Sequence, residues 1–118
     1  MFTVDGVTRT IKLSKGDTGG IKVWSDEYAF AETDRAVFTI RDRCGRVLIE
    51  KILVPYSGRF IAALYNQDTE DLPCGLYKWE VRIVIHPYYD ADGNIENGDQ
   101  IVSAVPMVLN LLPVQKNV

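Results

Sequence analysis

Apolar and polar residues alternate along much of this chain, most clearly over residues 77–85. A period of two puts one kind of side chain on each face of an extended segment, which is typical of a half-buried strand. Gly75 precedes this segment and Pro87 follows it, and both residue types interrupt regular strand pairing. The pattern predicts a long strand that ends before Pro87 and buries one face: Tyr77, Trp79, Val81, Ile83 and Ile85.

Shorter runs rich in Val, Ile, Phe, Thr and Tyr recur between turn-forming residues, and they favour pleated, half-buried structure. They span residues 7–13, 20–24, 36–41, 47–54, 59–64 and 100–112, the last with a break at Pro106. Helical periodicity is confined to one short turn at residues 68–72. The sequence therefore predicts an all-β fold, an antiparallel β-sandwich of seven or eight strands, immunoglobulin-like or jelly-roll-like. The predicted core consists of Trp79, Val81, Ile83, Phe38, Ile40, Ile21 and Val23.

Length and composition indicate one globular domain spanning residues 1–118, because 118 residues with 47% hydrophobic and 25% charged residues match an ordinary single core. The net charge of −3 disfavours nucleic acid and anionic membranes as partners. The N-terminal sequence lacks the basic and apolar regions of a signal peptide, and no apolar stretch approaches the ~20 residues of a spanning helix. We expect a protein made in a cytoplasm.

Candidate catalytic and metal-binding residues are few. His86 is the single histidine, and neither Cys44 nor Cys74 lies in a nucleophile motif or at zinc-ligand spacing. A calcium loop that starts at Asp90, in the acidic segment 90–99, would have Ile95 where it needs glycine and Ile101 where it needs a bidentate glutamate. We therefore predict no catalytic residue, no metal and no cofactor, and interpret residues 90–99 as a long hairpin connection, with weak calcium binding left open.

Four tyrosines lie in or beside predicted loops: Tyr56, Tyr65, Tyr88 and Tyr89. An aromatic ring with a polar tip suits contact with a protein or a sugar, although such rings also pack ordinary loops. We predict a partner contact at these tyrosines, centred on the Tyr88–Tyr89 pair beside the acidic segment. Trp24 and the same tyrosines support an alternative function as a carbohydrate-binding module.

Three segments of the chain resemble the small β-sandwich domains of tailed-phage structural proteins, particularly the N-terminal domain of baseplate upper proteins. They are residues 11–18 at the first strand and turn, residues 33–40 at the opening of the third strand, and residues 68–81. In the last segment Gly75, Tyr77 and Trp79 are similar to that family's strand entrance, a glycine followed by aromatic residues at alternate positions. Together these similarities extend over roughly residues 7–114.

The resemblance implies a non-enzymatic structural module, encoded by a phage or prophage, that docks other virion proteins. It brings no catalytic or ligand-binding residue to this chain. The expected partners are other virion or prophage structural proteins, with homo-oligomerisation left open, and the expected location is the virion after synthesis in the host cytoplasm. The chain departs from the family pattern in its 90–99 insertion and in lacking the helix and partner-binding region that follow in larger members. A small hydrolase with an unrecognised site is a third alternative.

Overall fold

The computed structural model describes residues 2–24, 29–103 and 107–113. Within these ranges the chain is mostly strand, with a single short helix, so the predicted all-β class is confirmed. The elements are β1 (Phe2–Val4), β2 (Ile11–Ser14), β3 (Gly19–Val23), β4 (Arg35–Arg41), β5 (Val47–Leu53), β6 (Phe60–Leu64), α1 (Asn66–Thr69), β7 (Gly75–Tyr89), β8 (Ile95–Ser103) and β9 (Met107–Leu112).

The strands form a seven-stranded and a two-stranded sheet. The larger sheet has the order β1-β2-β9-β7-β4-β5, and β8 also pairs with β7. The smaller sheet consists of β3 and β6. All pairings are antiparallel except that of β2 with β9, which is parallel. The long strand β7 organises the larger sheet, because its first part pairs with β9, its second part with β8, and β4 follows its other side.

One cluster of buried residues draws side chains from both sheets. The alternation seen in the sequence decides which ones, because every second residue of β4, β6 and β7 faces the cluster. These inward residues are Ala36, Phe38 and Ile40 of β4, Phe60, Ala62 and Leu64 of β6, and Tyr77, Trp79 and Val81 of β7. Of the predicted core, Ile21, Val23 and Ile83 are only half-buried and pack against this cluster.

The structure corrects the predicted end of the long strand. β7 runs through Pro87 to Tyr89, and Pro87 pairs with Gly98 of β8. Proline is tolerated here because β4 stops pairing at Val84, so that β7 has β8 on one side only. The acidic segment is corrected as well, since β8 already begins at Ile95 and the connection is only residues 90–94.

Two further predictions needed adjustment at the N-terminal part of the chain and at the helical turn. Residues 7–10 do not belong to a strand, because the Asp5 carboxylate accepts the N–H groups of Val7 and Thr8 and closes a turn before β2. Strand β1 was not predicted. The helical turn lies at Asn66–Thr69 instead of residues 68–72, and no helix in the described ranges is long and apolar enough to cross a membrane. The break at Pro106 lies outside the described residues.

Candidate functional site

The second half of β7 and the facing part of β8 form a hairpin that extends past the rest of the larger sheet. β4 accompanies β7 only as far as the Arg35–Val84 pair, whereas β7 and β8 stay paired up to Tyr89 and Ile95. We call residues 85–100 the β7–β8 arm. At about 3.3 Å per residue, its five residues on β7 reach about 17 Å beyond β4. At the tip, Asp90 Oδ1 accepts the N–H groups of Asp92 and Asn94, both at 2.9 Å.

A buried carboxylate fixes the base of the arm. Asp34, directly before β4, is fully buried, and its Oδ1 accepts the backbone N–H of His86 at 3.1 Å. Its Oδ2 accepts the backbone N–H of Ala31 at 2.8 Å. His86 has a φ of 47°, a left-handed conformation uncommon for a residue other than glycine. Asp34 therefore holds the irregular backbone of β7 at His86 in place. This sets the direction in which the arm leaves the sheet.

An open groove of about 510 Å³ lies along the arm where it meets the start of β4. Two of the predicted contact residues, Tyr88 and Tyr89, line this groove. Both remain accessible to a partner, because Tyr88 is 55% exposed and Tyr89 is 50% exposed. The residues that line the groove are Thr33, Arg35, His86, Pro87, Tyr88, Tyr89 and Asp99.

Hydrogen bonds orient the polar side chains of the groove. The Tyr88 hydroxyl donates to Asp99 Oδ1, and His86 Nδ1 lies 3.1 Å from Asp99 Oδ2. The bond to Asp99 raises the pKa of Tyr88, so the phenol stays protonated and keeps donating at neutral pH. The bond from Tyr88, followed by the one from His86, lowers the pKa of Asp99. The Tyr88 ring is thereby held in one orientation before any partner arrives, which reduces the entropy lost on binding.

The seven described lining residues of the groove include no serine or cysteine, and Thr33 is the one with an aliphatic hydroxyl. The carboxylate beside His86 is itself held by Tyr88. In the described part of the chain no group of three or more His, Cys, Asp or Glu residues is arranged to hold a metal ion. Cys44 and Cys74 are both exposed and unpaired with each other.

The other two predicted tyrosines lie at opposite ends of β6. Tyr56 is 74% exposed in the turn between β5 and β6. That turn follows Leu53, whose partner Ala36 pairs in turn with Ile83, so it lies at the end of the sheet from which the arm leaves. Tyr65 follows β6 at the far end. The structure therefore brings Tyr56 to the same end as Tyr88 and Tyr89, and separates Tyr65 from them.

Tyr65 belongs to a polar link between β5 and α1. Its backbone N–H donates to Asp68 Oδ2 at 2.7 Å, and the Lys51 ammonium lies 5.1 Å from its ring centroid. Lys51 Nζ also donates to Asp68 at 2.7 Å and to the Ala63 carbonyl at 3.0 Å. Burial acts to raise the pKa of Asp68, but the hydrogen bonds from Lys51 and Tyr65 outweigh it and the pKa is lowered. These contacts give Tyr65 a role within the fold.

Trp24 lines a second cavity of about 330 Å³, between the β1–β2 turn and β3. Trp24 is 57% exposed, and the Arg59 guanidinium lies 6.0 Å from its ring centroid. The buried Trp79 also borders this cavity, together with two cationic residues, Arg9 and Lys22.

Sequence reasoning missed the roles of two carboxylates, Asp34 at the base of the arm and Asp99 within it. Asp99 could have been found, because pairing residues outward from the Asp92-Gly93 turn places position 99 opposite position 86. Asp34 could not, because it lies between Thr33 and Arg35 in a polar stretch that gives no sign of its burial.

Comparisons with known proteins leave the chain without an assigned family. A scan against protein-family models returned no match, and a search of curated proteins likewise returned none. The arm, its groove and the sheet that supports them are the features that bear on function.

Proposed function

We propose that this chain is a non-enzymatic structural module of a tailed phage or prophage, which assembles with other virion proteins through the end of the domain that bears the β7–β8 arm. The observation that carries the proposal is the placement of Tyr88 and Tyr89, half-exposed on a projecting arm and lining one groove. Aromatic residues with a polar tip contribute disproportionately to protein interfaces. The phage origin is supported by the sequence resemblance described above.

We also propose that the two sheets form an immunoglobulin-like sandwich. The parallel pairing of β2 with β9, the neighbours β9-β7-β4-β5 and the separate β3–β6 pair match the strand arrangement of that fold. The Tyr77 hydroxyl donates to the backbone carbonyl of Pro73, the hydrogen bond of a tyrosine corner at the start of the sixth strand of such domains. These features favour the immunoglobulin-like topology over the jelly roll.

This topology agrees with a binding role for the arm. In immunoglobulin variable domains, the loops that recognise antigen lie together at one end of the sandwich. The corresponding described connections here are residues 29–34 before β4, the β5–β6 turn with Tyr56, and the β7–β8 arm. Tyrosine also suits this use because its large rigid ring loses little conformational freedom on binding.

Direct binding to the structural proteins encoded beside this chain tests the proposal. Each candidate is co-expressed with the parent chain and with a Tyr88→Ala, Tyr89→Ala double variant, and the complexes are quantified after co-purification. We expect the double variant to lose at least tenfold in affinity, whereas Tyr65→Ala, at the opposite end, leaves affinity unchanged in the folded fraction. Undiminished binding by the double variant would remove the proposed contact. No partner together with a robust hydrolytic activity would remove the assembly function.

A carbohydrate-binding module is the second candidate, supported by the exposed Trp24 beside a cavity that also contains Arg9 and Lys22. An aromatic face flanked by hydrogen-bond donors suits a sugar ring. Titration with soluble polysaccharides, followed by Trp fluorescence, separates the two functions. Saturable binding that Trp24→Ala abolishes and the Tyr88→Ala, Tyr89→Ala variant retains would favour the carbohydrate function.

A further inference from the structure

We propose that the outer edge of β8 accepts an extended, basic segment of a partner protein as an added strand. This inference rests on the proposed assembly function and names the kind of partner that the arm binds. Three features of the arm support it: an unpaired strand edge, the local charge, and the exposed apolar side chains on β8.

The strand edge is long. β8 spans Ile95–Ser103 and pairs with β7 along one side, and among the described residues no strand pairs with its other side. An edge strand leaves alternate backbone N–H and C=O groups without strand partners, and an extended peptide can satisfy them by adding to the sheet. β4 pairs with the opposite side of β7, so it does not cover this edge.

The charge of the arm selects a basic partner. Residues 87–115 contain four acidic residues and no lysine or arginine. The whole chain has a net charge of −3, and this segment contributes four negative charges, so the remainder carries +1. Edge-to-edge pairing of two arms would bring eight carboxylates together, which disfavours a second copy of the arm as the added strand. The four acidic residues are Asp90, Asp92, Glu96 and Asp99.

Exposed side chains on β8 complete the surface. Ile101 is 42% exposed and Val102 is 48% exposed. Side chains alternate along a strand, so Asp99 and Ile101 share one face, which offers a carboxylate and an apolar contact, and Val102 lies on the other face. Glu96 lies at the bulge opposite Tyr88 and Tyr89, where this alternation is interrupted. A partner strand that mixes Lys or Arg with β-branched residues complements this carboxylate and these apolar side chains.

Synthetic peptides test the chemistry of the partner. The probes are a ten-residue peptide of alternating Lys and Val, and the same peptide with Glu in place of Lys, each labelled for fluorescence anisotropy. We expect saturable binding of the lysine peptide that weakens as salt is raised, and at least tenfold weaker binding of the glutamate peptide. Equal binding of the two peptides, or no binding of the lysine peptide, would overturn the inference.

Matched charge variants test the location. Asp92→Asn with Glu96→Gln neutralises two exposed carboxylates of the arm, and Glu70→Gln with Asp71→Asn neutralises two exposed carboxylates near α1. Both double variants change the net charge equally. The arm variant is expected to bind the lysine peptide about fivefold more weakly than the parent, because it loses two surface ion pairs with the peptide. The α1 variant is expected to bind it within about twofold of the parent. Equal losses would indicate general electrostatic attraction and would contradict the proposed site.

Backbone methylation of the peptide tests strand addition itself. Two versions of the lysine peptide carry N-methyl groups at alternate residues, in opposite phases, so that each blocks one edge of the peptide. Strand addition needs one free peptide edge, so binding is expected to survive in at least one phase and to fall at least tenfold when every residue is methylated. Retained binding by the fully methylated peptide, or at least a tenfold loss in both alternate phases, would exclude an added strand. Tyr-dependent capture of a virion protein would survive that result, so failure of this inference is distinguishable from failure of the proposed function.

Discussion

Truncation of Trp79 tests whether the inward face of β7 carries the core. Trp79 is 5% exposed, and its ring centroid lies 6.1 Å from that of Phe38. A buried tryptophan removes about 200 Å² from water, which at ~25 cal/mol per Å² corresponds to an upper value near 5 kcal/mol. The indole N–H also donates to the Arg9 carbonyl at 3.1 Å. Arg9 is exposed, so water can replace that donor, and the net loss is only about 1 kcal/mol.

We therefore expect Trp79→Ala to lower the free energy of unfolding by about 3–5 kcal/mol, because a denatured chain already buries part of this surface. Leu76→Ala is the matched control, since Leu76 is 49% exposed on the opposite face of the same strand, and should cost less than about 1 kcal/mol. Urea unfolding followed by far-UV circular dichroism measures both variants without relying on the fluorescence of Trp24. Equal midpoints for the two variants, or a larger shift for Leu76→Ala, would mean that the faces of β7 are exchanged.

Four further predictions concern the proposed tyrosine corner, the loss of stability at low pH, calcium binding and the cysteine thiols. Tyr77→Phe removes the hydrogen bond to Pro73 and should cost about 1 kcal/mol in urea unfolding, and no change would count against a tyrosine corner. Hydrogen bonds, above all that from Lys51, lower the pKa of Asp68 from 3.8 in the folded protein. The stability that the ionised carboxylate contributes is therefore present above its unfolded pKa and is lost as the pH falls through its folded pKa. Asp68→Asn should consequently lose less stability on acidification than the parent. Millimolar calcium should raise the melting temperature by less than about 5 °C, and a larger rise abolished by Asp92→Ala would contradict this. Both cysteines are exposed and should react as free thiols with a thiol reagent in unreduced, unfolded protein, and a count of zero reactive thiols would refute this.

The alternation of residue types was enough to predict several strands of the middle of the chain. β4, β5 and β6 were predicted to within one residue at each end, because one face of each strand is lined with apolar residues and the connections contain turn formers. Trp79, Val81, Phe38 and Ile40 are buried as predicted. The boundaries of β7 and β8 were not predicted, because proline was expected to end the strand, as it does in a strand that is paired on both sides. Only the pairing shows that β7 has a single neighbouring strand, β8, at Pro87.

The candidate site was predicted in part. Tyr88 and Tyr89 were identified from residue type, but they were expected beside a loop and lie within β7. The groove depends on contacts between distant parts of the chain, such as Asp34 with His86, and no local pattern indicates these. Similarly, the inward-facing Lys51 is accommodated only because Asp68 and the Ala63 carbonyl meet it from other elements.

The parallel pairing of β2 with β9 affects how this chain can fold while it is being synthesised. Ile11 and Leu13 are fully buried, and their pairing partners are Leu109 and Leu111, near the other end of the chain. At a translation rate of roughly 5–20 residues per second, β2 waits about 5–20 s for β9 to be made. During that interval the apolar residues of β2 lack their pairing strand, β9. A nascent chain released early would therefore expose an aggregation-prone N-terminal segment. Chaperone binding to ribosome-bound chains is expected to persist until β9 has emerged.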